Sequence, residues 1–164
     1  MRLSDRKRVG EQLSGFVYGT VVVLSVIVTG AKAFPHGPGQ IALLVAVTTV
    51  VFWLAHVYAH VMAFSVREET HLSLDEFGQI ARREASIVAA GVPPEAALVL
   101  GGIGVLSEHF ALWLSFGLGL AVLGVTGVVF ARVERLGPVR GVLAVLANLA
   151  LGVVLIGLKV LVVH

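Results

Sequence analysis

Apolar residues run through this chain in five long blocks, each closed off by a short polar or Pro/Gly-rich segment. About twenty apolar residues rising about 1.5 Å each are enough to cross some 30 Å of hydrocarbon. The blocks therefore predict membrane-spanning helices over roughly 13–31, 41–66, 85–106, 110–131 and 139–163. Pro35, Gly37, Pro38 and Gly39 predict a tight first turn, and Ser107-Glu108-His109 a minimal third one. The stretch from Arg67 to Glu84 is the one sizeable polar connection. Within it, Ser73-Leu74-Asp75-Glu76 has the pattern of a capping box, so a helix should start there and run into the third span. That helix then meets Pro93-Pro94, which removes the amide donors for the carbonyls of Ala89 and Ala90 and predicts a kink. The fold class is all-α: a polytopic membrane helix bundle forming one integral membrane domain over 1–164. No internal repeat is evident, and an odd span count argues against two inverted halves.

Composition agrees. The chain is 57% hydrophobic and 13% charged with mean hydropathy +0.96, where soluble domains carry about a quarter charged residues. It has no cysteine, which excludes disulfides, thiolate metal sites and cysteine nucleophiles. The net charge of +2 matters less than its distribution. Arg2, Arg6, Lys7, Arg8, Arg67, Arg82, Arg83, Arg132, Arg135 and Arg140 fall on one side of the predicted bundle, and only Lys32 and Lys159 on the other. The positive-inside rule then puts the N-terminus in the cytoplasm and the C-terminus outside. The basic residues are topology signals, and no nucleic-acid partner is expected. The basic N-terminus followed by an apolar run and Ala31-Lys32-Ala33 also fits a signal peptide. With four more spans following, an uncleaved first span is preferred.

Ionisable groups inside a bilayer are costly and are functional candidates by default. His56 and His60 lie one turn apart on the second span, on a stripe with Thr49 and Arg67. The first span puts Glu11, Ser14, Tyr18, Ser25, Thr29 and Lys32 on one face. Glu95 follows the proline pair, and the fifth span aligns Gly141, Asn148, Gly152 and Lys159. Counted from each cytoplasmic boundary, His56, Glu95 and Asn148 lie about nine or ten residues in, about 15 Å deep. Shared depth predicts one site of His56, His60, Glu95, Tyr18 and Asn148, with Glu95 pairing a histidine, spans 1, 2, 3 and 5 facing each other, and span 4 peripheral. The bland alternative is helix glue, interhelical hydrogen bonds worth roughly 0.5–2 kcal/mol each. For Asn148 glue is the better reading. His36, His71 and His109 fall in loops and need no role.

Two imidazoles at i and i+4 can share a metal, with Glu95 as the third ligand. The adjacent glutamate of the zinc-protease motif is absent. No other cofactor is expected, because a bis-histidine haem needs axial ligands from opposite sides.

Arg8-Val-Gly-Glu-Gln-Leu-Ser14-Gly-Phe-Val-Tyr18 resembles the first helix of the bacterial and lysosomal potassium channels, which opens with Arg-x-x-x-Phe-Ser-Asp. Ser14 agrees, Leu13 and Gly15 replace Phe and Asp, and the Arg is one residue further away. Phe52-Trp53-Leu54-Ala55-His56 is similar to aromatic–histidine runs of that family. Its members have six spans per repeat, against five here. The resemblance implies movement of a small cation. Nine Arg against three Lys, with richness in Ala, Val, Leu and Gly, resembles small membrane proteins of high-GC, actinobacterial-type bacteria.

The leading expectation is thus a multi-pass protein of the cell (inner) membrane that moves protons or a small cation, as a homo-oligomer or with partner membrane subunits. The alternative is a non-catalytic subunit or assembly scaffold whose polar stripes bind partner helices. An enzyme is not expected, since membrane hydrolases and hydroxylases need more acidic or histidine ligands than these spans supply.

Overall fold

The computed structural model describes residues 3–68 and 73–162. The described residues form five α-helices: α1 Leu3–Ala33, α2 Pro38–Glu68, α3 Leu74–Gly102, α4 Glu108–Val133 and α5 Pro138–Val162. All five are long and apolar enough to cross a membrane. The side chains of Arg2, Arg6, Lys7, Arg8, Arg67, His71, Lys159 and His164 lie outside the described residues.

The local signals act where expected. The Ser73 amide donates to Glu76 Oε2 at 2.8 Å, and the Glu76 amide donates to Ser73 Oγ at 3.2 Å, completing the capping box of α3. Ser107 caps α4 by accepting from the Phe110 amide at 3.4 Å. His109 consequently sits in the first turn of α4 rather than in a loop, its ring against Trp113. His36 meets Glu108 at 3.1 Å and ties the first turn to the start of α4. α3 continues as helix through Pro93 and Pro94, neither of which has an amide hydrogen to donate.

Glycines fix the packing. Gly15 and Gly19 of α1 lie against Ser86, Ile87 and Ala90 of α3, so closely that a Cβ at Gly19 would strike the Ile87 carbonyl oxygen. Gly39 of α2 lies against Gly102, and Thr49 lies near Gly91. These pairs set an antiparallel register between α2 and α3. A Cβ on Gly127 of α4 would come 2.9 Å from the Val145 Cα of α5. Gly119 takes the Leu24 side chain of α1.

These close approaches make α4 central. It packs on α1, α3 and α5, while α5 touches only α1 and α4 among the described helices. The expectation that span 4 is peripheral and span 5 faces spans 2 and 3 is corrected. Small residues on α4 admit neighbours on several sides, and α5 is left the least buried helix. The core is apolar, built from Val23, Leu24 and Ile27 of α1, Ile41 and Val45 of α2, Leu98 of α3 and Phe116 and Leu123 of α4.

The α4–α5 turn is unusual. Leu136 N–H donates to Ala131 at 2.9 Å and Arg135 N–H to Arg132 at 3.2 Å, a Schellman-type closure. The left-handed position in it is held by Arg135 (φ 52°), where glycine is usual. A side chain there costs about 1–2 kcal/mol.

Candidate functional site

Helices α1, α2 and α3 line an open cavity of about 350 Å³, with several ionisable side chains, at the end of the bundle that carries the α2–α3 connection. α1 contributes Glu11, Ser14 and Tyr18, α2 contributes His56 and His60, and α3 contributes Arg83 and Glu84. Gly15 leaves room beside Ser86, so α1 approaches α3 closely enough to form the wall.

The charges are arranged in pairs. Arg83 forms a salt bridge with Glu11 between α3 and α1. His60 Nδ1 lies 3.7 Å from Glu84 Oε1 between α2 and α3. The Glu84 side chain is only 12% exposed, so its charge is less screened than a surface carboxylate's. Each histidine also bonds its own helix: His56 Nδ1 is 3.2 Å from the Phe52 carbonyl and His60 Nδ1 3.1 Å from the His56 carbonyl. A carbonyl only accepts, so in these contacts Nδ1 is the donor. The rings of Tyr18, Phe52 and His56 pack against one another at tilted angles, with centroids 5.0–5.1 Å apart. Trp53 Nε1 donates to the Ala81 carbonyl at 3.1 Å and fixes this part of α2 on α3.

The expected site therefore comes together only in part. Tyr18, His56 and His60 share the cavity. Glu95 does not line it. Gly39 opposite Gly102 and Thr49 opposite Gly91 place Glu95 level with residues 45–46 of α2. That is ten residues, or about 15 Å, along the helix from His56. Glu84 is level with His56 instead and takes the place expected for Glu95. The His56, His60 and Glu95 metal set is not assembled, and among the described residues no three His, Asp or Glu side chains gather as a metal site.

Asn148 lies apart from the histidines as well, because α5 touches neither α2 nor α3. It lines a second cavity of about 580 Å³ between α1, α4 and α5, and donates to its own helix at Ala144 (3.1 Å). Ser14 and Tyr18 line both cavities.

Glu11 shares the Tyr18 face in the sequence, whereas Arg83 and Glu84 read there only as a topology signal and as the end of the polar connection. The usable signal was the interhelical charge complementarity of Glu11 with Arg83. One further polar group lies deeper. Thr49, buried on the histidine stripe, has a hydroxyl without a hydrogen-bond partner among the described residues. Leaving it unpaired costs about 1–3 kcal/mol.

Compared with protein-family models, curated proteins and solved structures, the chain finds no match in any of the three.

Proposed function

We propose that this protein moves protons, alone or coupled to a small cation, across the cell (inner) membrane through its α1–α2–α3 cavity. The observation that carries the reading is the gathering of two histidines, two glutamates, an arginine and a tyrosine in one cavity between membrane-length helices. Ionisable groups are costly there and accumulate where charge is bound or passed on. His60 and Glu84 act as the proton acceptors, His56 and Tyr18 line the inner end, and Arg83 balances Glu11. The N-terminus, the α2–α3 connection and the α4–α5 turn share one end of the antiparallel bundle, and the sequence places ten of the twelve basic residues there. The positive-inside rule makes that end cytoplasmic, so the cavity opens to the cytosol and the C-terminus lies outside.

Beyond Tyr18 and His56, the apolar core closes the way. Pro93 and Pro94 sit in that closed region, level with residues 46–47 of α2, and weaken the α3 ladder there. We read this as a kink and hinge whose movement opens the outer half, with the Thr49 hydroxyl as the next polar stop. The same closure supports the second reading, a non-catalytic subunit whose cavity is completed by a partner helix.

Proteoliposomes loaded with a pH-sensitive dye and challenged with Na⁺, K⁺ and proton gradients distinguish the two. Wild type should carry flux under at least one of these gradients, and that flux should change with pH. Glu84→Gln should cut that flux about tenfold or more and flatten its pH dependence, while Glu95→Gln keeps at least half. Wild-type vesicles as tight as protein-free ones for every gradient would leave the partner-subunit reading.

A further inference from the structure

A third cavity, of about 400 Å³, lies in the turn between α4 and α5, away from the histidines. Arg132 and Arg135 line its rim, and Val128, Val142 and Val145 lie along its walls. Gly141 leaves the floor open: a Cβ there would meet only Ala131, at 3.5 Å. We infer that this cavity binds one anionic phospholipid, its phosphate held by Arg132 and Arg135 and an acyl chain lying along Val128, Val142 and Val145.

Three observations lead there. Both arginines are exposed, and neither has an ion pair among the described residues; the nearest acid in sequence, Glu134, has none either. Guanidinium groups match phosphate oxygens in planar, two-bond geometry, which favours a phosphate over a diffuse cloud of counterions. Arg135 is held in the left-handed conformation at the turn, a strained placement that puts a basic residue where glycine would be easier. The polarity gradient is that of a lipid. Val128 lies one turn below Arg132 on α4, and Val145 nearly one turn beyond Val142 on α5. The charged rim thus sits at headgroup level and the walls lead into the acyl region. A soluble phosphate would use the rim and leave the walls exposed.

The full chain, purified from nanodiscs of phosphatidylglycerol and phosphatidylcholine at 1:3, is examined by native mass spectrometry for retained lipid. A basic residue at the surface contributes about fivefold, so two should favour phosphatidylglycerol roughly 25-fold. Arg132→Gln with Arg135→Gln should return the ratio to that of the bilayer. Gly141→Leu, which keeps both arginines but fills the floor, should also lower it several-fold. Arg140→Gln removes a neighbouring charge that does not line the cavity and should cost no more than about fivefold. Added inorganic phosphate should leave the retained lipid in place. No preference in wild type would overturn the assignment. So would a loss in Arg140→Gln equal to that of the double variant, an unchanged ratio in Gly141→Leu, or displacement by phosphate.

Discussion

A methyl group added at Gly15 and one added at Gly19 meet different obstacles. At Gly15 it meets Ser86 Oγ, which can turn away, and Ser86 Cβ at 3.1 Å, which must give by a few tenths of an ångström; at Gly19 it meets the Ile87 carbonyl, which moves only with its helix. Alanine gains about 1 kcal/mol over glycine in helix propensity, and overpacking against fixed backbone costs about 1–3 kcal/mol. Gly15→Ala should therefore melt near wild type in detergent, followed by circular dichroism, and Gly19→Ala below it. Equal melting of the two variants would show that α3 is not held this closely. The pair spells Gly-x-x-x-Gly and was visible in the sequence, but its partner was not, since spacing names a face and not the helix that covers it. The histidines show the same limit. Their common stripe on α2 was legible from a four-residue spacing. Glu84 as their neighbour depended on how far α3 slides along α2.

Helix α3 begins on a device that titrates. Hydrogen bonds from the Ser73 backbone and hydroxyl hold the Glu76 carboxyl below the usual carboxylate range. A lowered folded value means that the unfolded chain takes up the proton first as pH falls. The capping contribution is therefore complete above the unfolded carboxylate value, about 4.3, and is lost as pH drops through the lower folded one. Amide exchange at Ser73, Glu76 and Phe77, whose N–H groups are bonded within the cap, should, corrected for intrinsic rates, be slow at pH 7 and speed up at pH 3. In Glu76→Gln it should be faster at pH 7 and respond little to pH; unchanged protection in that variant would remove Glu76 from the cap. Such ends were legible because caps and turns are written within four residues. Depth was not. Counting from Val66 on α2 and Ala85 on α3 assumed that both marks lie at one membrane level. The glycine contacts instead put residue 85 beside His56, so Glu95 lands about ten residues further along.

For the molecule as a whole, five helices and a ten-to-two division of basic residues predict opposite sides for the two termini. A phosphatase that works only outside the cytoplasm, fused after His164, should be active, and the same enzyme fused within the α4–α5 turn should be silent. Activity in the turn fusion would invert the bundle. The number of spans was legible because hydrocarbon thickness sets block length. Their arrangement was not: Gly119, Gly124 and Gly127 give α4 its neighbours, and hydropathy carries no record of which helix a glycine admits. The buried aliphatic side chains beyond His56 bear on energy conservation in the host. If the cavity passes charge as proposed, it works like a capacitor plate, taking up and returning charge on its own side. Current would then flow only while α3 moves at Pro93 and Pro94, so that helix and not the number of copies would set how fast the gradient is spent.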